Sequence, residues 1–150
     1  MIIKDQKGAA IVEFAIVVPL LVLLLIGTIE FGILCYNKQV ITNASREGAR
    51  AGIIAFGRSS FSDNNEIINI VKNYCKNHLI TFSSSPDIDL DLNITLDPDN
   101  RTNTNPSFTF GSSFKVSVTY NYDFLVPSLF GQDDILPISA ATMMRREGSV

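Results

Sequence analysis

Residues 14–36 read FAIVVPLLVLLLIGTIEFGILCY, and this run of 23 residues contains one side chain charged at neutral pH, Glu30. As a helix rising about 1.5 Å per residue it spans about 35 Å, enough for the roughly 30 Å hydrocarbon core of a bilayer. A cleavable secretory signal has a shorter apolar core of about 7–15 residues and ends at a small-residue cleavage site. The run therefore reads as a helix that crosses a membrane once. It also explains the composition. The chain has 150 residues, 46% hydrophobic and 18% charged, a length suited to one modest domain. The apolar share is concentrated, because Phe14 to Ile29 carries no charged side chain at all.

Outside the run the chain is mildly acidic. The 12 Lys/Arg less Lys4 and Lys7, against the 15 Asp/Glu less Asp5, Glu13 and Glu30, leave residues 37–150 at about −2. No basic patch for nucleic acid is expected. Cys35 and Cys75 lack the spacing of zinc or thioredoxin-like sites, and His78 is the single histidine, so neither a metal centre nor a cofactor is expected. Lys4 and Lys7 before the run bias the N-terminus to the cytoplasm and the C-terminal portion to the outside, although Lys38 follows the run.

Two residues are unusual for a plain anchor. Pro19 removes the amide that would bond the Ala15 carbonyl, which kinks or locally unwinds a helix unless neighbours compensate. Glu13 opens the apolar run with no cation at i+3 or i+4, and a carboxylate at such depth costs about 2–3 kcal/mol unless it snorkels or finds a partner. It is either the wet end of the span or one half of an ion pair.

The stretch Lys7-Gly8-Ala9-Ala10-Ile11-Val12-Glu13-Phe14 resembles the processing site of type IV prepilins, a short basic leader ending in Gly followed by an apolar helix. The resemblance implies cleavage after Gly8 by a prepilin peptidase, with Ala9 as the new N-terminus, Glu13 as the fifth mature residue and Phe14 after it. Glu13 then supplies the buried anion that the Ala9 amine needs during assembly. Past the span, Gln39 to Gly52, with Ala44, Ser45, Arg46, Glu47, Gly48, Ala49 and Arg50 at its centre, resembles the A-A-R-E-G-A-R-A signature of TadE-like pseudopilins. Ser45 stands where that pattern more often has Ala. Residues 138–147 loosely resemble the family's closing strand, and 58–132 match only in kind. The resemblance implies a minor pseudopilin, TadE or TadF, of a Tad/Flp type IVb pilus. It implies residence in the bacterial inner membrane or the pilus, with other pilins, Tad platform proteins and membrane lipid as partners.

The expected organisation is a leader at 1–8, a transmembrane helix at 9–36 and an extracytoplasmic α+β pilin-like domain at 37–150. On a helical wheel Val40, Ile41, Ala44, Gly48, Ala51, Gly52 and Ala55 share one face, opposite Thr42, Asn43, Arg46 and Arg50. Ala44, Gly48 and Gly52 at four-residue spacing let another backbone approach closely. That partner is expected to be this chain's own sheet, with a second subunit as the alternative. Glu47 and Arg50 are spaced to pair at i+3. Asp63 and Glu66 have capping-box spacing before a second helix at about 64–79, whose apolar face is Ile67, Ile70, Val71, Tyr74 and Cys75. Strict alternation predicts strands at about 87–96 and 114–124, and a third is expected at about 137–146. Asp97 to Asn105 reads as a hairpin tip and Val126 to Leu136 as a longer loop.

Other candidate sites reduce to plain structure. Asp87, Asp89 and Asp91 fall on the wet face of a strand rather than in a calcium-binding turn. His78, Ser83 to Ser85 and Asp87 lack a nucleophile elbow and an oxyanion loop. A Cys35–Cys75 bridge is not expected, because Cys35 lies at the membrane end of the long helix, about 30 Å below its top at 1.5 Å per residue, and the second helix starts from that top. Without a convergent acid/base cluster an enzyme has no site to offer. The competing reading is an unprocessed single-pass protein whose head binds an envelope protein or ligand. Gly8 and Glu13 discriminate, because a plain anchor needs neither at that spacing.

Overall fold

The computed structural model describes residues 6–55, 64–82, 91–97, 113–125 and 135–145. Helix α1 runs from Gln6 to Ala55, 50 residues and about 75 Å, and passes Pro19 without a break. The Thr28 hydroxyl inside the apolar run donates back to the Leu24 carbonyl at 2.8 Å, so it is satisfied within the helix. From Gly8 to Ile29 the side chains of α1 are exposed, apart from the half-buried Val18 and Ile26. Burial begins at Glu30 and continues through Asn37, Val40, Ile41, Ala44, Ser45, Gly48, Ala49 and Gly52.

Helix α2, Asn64–His78, buries Ile67, Val71 and Cys75 at four-residue intervals against α1, with Ile70 and Tyr74 half-buried beside them. The Leu79 amide still bonds the Cys75 carbonyl at 2.8 Å, which carries the helical turn to its expected end. Three antiparallel strands follow, β1 (Leu92–Asp97), β2 (Ser113–Asp123) and β3 (Ile135–Arg145), in the order β1-β2-β3. The architecture is α+β. Strand β2 is central and contributes Phe114, Val116, Val118, Tyr120 and Tyr122, all buried, because its inner face meets α1 while both edges are paired. Leu92, Ile94 and Leu96 stand opposite Tyr120, Val118 and Val116 on that same face. Ile138 is the buried contribution of β3.

Two expectations need adjustment. Ile135 and Leu136 belong to β3 rather than to the loop before it, since they pair with Asp123 and Tyr122. The buried face of α1 is wider than the wheel predicted. Ser45 and Ala49 are buried, Ala51 is half-buried, and Thr42 and Asn43 are half-covered, because α1 is flanked by α2 and by the sheet and not by the sheet alone. The cysteines are both free, Cys35 exposed and Cys75 in the core. Residues 87–90 of the expected first strand, Asp63, Ser83 to Ser85 and the 98–105 tip lie outside the described residues.

Candidate functional site

Helix α1 divides into an exposed apolar half and a half that serves as backbone to the head. In the apolar half, Gly8, Ala9, Glu13 and Phe14 are all exposed, Phe14 to 70%. A Cβ on Gly8 would meet nothing within 4 Å, so packing within the chain places no demand for glycine there. Gly27 and Gly32 are equally open.

In the upper half the structure splits the signature segment into two faces. Ala44, Ser45, Gly48, Ala49 and Gly52 point into the head, and Arg46, Glu47 and Arg50 point to solvent. The glycines are required by close approach. A Cβ on Gly48 would lie 2.5 Å from Cγ2 of Val71 and 3.3 Å from Cγ1 of Val116, so this residue admits α2 and β2 at the same point. A Cβ on Gly52 would overlap the ring of Phe114. The small-residue stripe is therefore filled by this chain's own sheet and second helix.

Four polar residues to which the sequence reading gave no contact with the head tie it to α1 along its length. Lowest is Glu30, 7% exposed, whose Oε1 accepts from the Leu125 amide just past β2. Next, Asn37 donates through Nδ2 to the Ile80 carbonyl at 2.7 Å and accepts through Oδ1 from the Ile80 amide at 3.0 Å. The Lys38 ammonium donates to the Ser139 carbonyl on β3. Highest is Ser45, which shares a 2.7 Å hydrogen bond with the Thr142 hydroxyl and donates to the Thr42 carbonyl. The signal was present. Glu30, Asn37 and Ser45 recur on the stripe that continues to Gly48 and Gly52, and a polar residue on a buried stripe needs a partner.

The Ser139 contact also ties β3, an edge strand among the described residues, to α1. Pro137, which has no amide to donate, stands on the same strand, as suits an edge position. The buried Tyr122 hydroxyl finds no hydrogen-bond partner among the described residues, and burial, then the nearby Glu30 carboxylate, push its ionisation upward. His78 stacks on Tyr74 with ring centroids 4.5 Å apart, and its Nδ1 meets the Tyr74 carbonyl, a helix-end role.

A single apolar helix thus continues unbroken into the backbone of a small α+β head. The family model described as TadE-like protein matches residues 8–50, from Gly8 to the last arginine of the signature segment. This is the family that the sequence resembles, and it is one of Tad pilus-associated, structural rather than enzymatic proteins. No curated protein and no solved structure matches the chain. The helix is long and apolar enough for a single-pass membrane protein.

Proposed function

We propose that the chain is a minor pseudopilin of a Tad/Flp-type pilus, processed by a prepilin peptidase after Gly8 and used as a structural component in pilus assembly. In this reading the N-terminus is cytoplasmic, the helix crosses the inner membrane once and the head lies outside. Its partners are other pilins, pseudopilins and Tad platform proteins. The observation that carries the reading is the placement of Gly8, Ala9 and Glu13 on the exposed base of an unbroken helix within the matched segment. Among the described residues none of the three has a contact in the head that would explain its identity. Arg46, Glu47 and Arg50 supply a charged face for neighbours, since the head does not use them for packing. The test is intact-mass analysis of the membrane-extracted protein with and without a prepilin peptidase. The expected result is loss of residues 1–8 with the peptidase, and full-length chain when Gly8 is replaced by a bulky residue. Retention of Met1 to Gly8 beside an active peptidase refutes it.

A further inference from the structure

The end of the head nearest the apolar half of α1 carries several exposed apolar side chains. Among the described residues beyond Ile29, the exposed large apolar ones are Phe31, Tyr36, Ile80, Ile135 and Leu136, together with Ile54 and Met143. The first five belong to the lower end. Ile80 is held level with Asn37 by its paired hydrogen bonds. Ile135 pairs with Asp123, two residues from the Leu125 that bonds Glu30. It also lies four strand residues, about 13 Å, below the Ser139 held by Lys38, which returns it to the level of about Glu30. Ile135 and Leu136 are 56% and 38% exposed although they begin a strand of the core sheet.

No stalk separates this end from the apolar half. The first buried residue of the helix is Glu30, directly after Ile29, and it is held by the head. Residues 9–29 rise about 31 Å at 1.5 Å each, which matches the roughly 30 Å hydrocarbon core and leaves nothing over. With Ala9 at the inner boundary, Glu30 falls at the outer boundary, and its carboxylate is sealed from lipid by the end of β2. The start of β3 is then level with the headgroups, and Tyr36 and Ile80 stand one to two turns higher.

We infer that the lower rim of the head, led by Phe31, Ile135 and Leu136, is a lipid-contacting surface seated in the outer interface of the bilayer that its own helix crosses. The occupant is phospholipid because the rim is continuous with the apolar half of α1 and begins where the hydrocarbon core ends. Apolar side chains at that depth bury area into the acyl boundary, and a tyrosine above them suits the headgroup region. The inference rests on the membrane-spanning reading of α1. It adds that the head is fixed in height and orientation on the membrane instead of standing clear of it.

The chain has no tryptophan, so single-tryptophan reporters are free of background indole emission. Full-length variants Leu24→Trp, Ile135→Trp, Ile80→Trp and Met143→Trp are placed in phosphatidylcholine vesicles, with and without lipid brominated in its acyl chains. The expected order is strong quenching at 24, clear quenching at 135, weaker quenching at 80 and none at 143. Leu136→Trp serves as a second rim reporter if Ile135→Trp does not fold. Quenching at 24 with none at either rim position overturns the inference while leaving the spanning helix intact. A rim tryptophan shielded from aqueous iodide yet untouched by brominated lipid also overturns it, since a second copy then covers the rim. Absence of quenching at 24 overturns the spanning reading and the inference with it.

Discussion

The side-chain amide of Asn37 holds the backbone of Ile80 from both sides, donating to its carbonyl at 2.7 Å and accepting from its amide at 3.0 Å. One residue of α1 thus satisfies both polar groups of the segment that leaves α2, as a neighbouring strand would. Asn37 is fully buried, so water does not replace it. Asn37→Ala is expected to destabilise the head by about 1–3 kcal/mol, with Ile80 left unpaired. Denaturant titration in detergent, followed by circular dichroism, measures this, and unchanged stability refutes the clamp.

Close packing at the glycines makes a steric prediction. Gly48→Ala and Gly52→Ala should each cost about 1–3 kcal/mol, because the added methyl meets Val71 and Val116 in one case and the Phe114 ring in the other. Gly27→Ala, facing open space, should cost nothing. Combining Gly48→Ala with Val71→Ala tests the contact itself. A double-mutant cycle should show the pair losing less stability than the sum of its parts.

Burial pushes the Cys75 thiol from its ordinary 9.0 up to about 11. The folded value is the higher, so the neutral thiol's contribution is complete below pH 9 and is lost as pH rises toward 11. Tyr120 and Tyr122 are raised by burial as well and act in the same direction. Stability measured from pH 8 to 11 should therefore fall, and Cys75→Ala should move the onset of the fall upward into the tyrosine range. Maleimide should label the exposed Cys35 readily and Cys75 only when the head unfolds.

Glu13 is exposed and makes no contact with the head among the described residues, so its substitution tests assembly without testing folding. If Glu13 meets the Ala9 amine of an adjacent subunit, Glu13→Gln leaves an unpaired buried charge costing about 3–5 kcal/mol. Cleavage, insertion and head stability should stay normal, while co-purification with pilins and other pseudopilins is lost. Wild-type recovery of the processed variant would remove Glu13 from the assembly site.

Orientation has its own readout. A reporter fused after Val150 should be reachable only from outside the cytoplasmic membrane, in keeping with Lys4 and Lys7 inside. Cytoplasmic labelling of that end reverses the topology.

Local pattern alone determined the elements and the motif-bearing residues of this protein. A 23-residue run with one charge predicts a helix, and strict alternation from Phe114 to Phe124 predicts a strand with its faces assigned, because periodicity is a property of neighbours along the chain. The helix face built on Ala44, Gly48 and Gly52 was legible for the same reason. Tertiary structure decided which contacts fill that face and where the head begins. That the stripe receives Val71, Val116 and Phe114 of the same chain follows from the order and register of strands far away in sequence. The partners of Glu30 and Asn37 were hidden for a related reason. Each is satisfied by a backbone group, Leu125 or Ile80, and every residue type has a backbone, so no side chain in the sequence marks the partner.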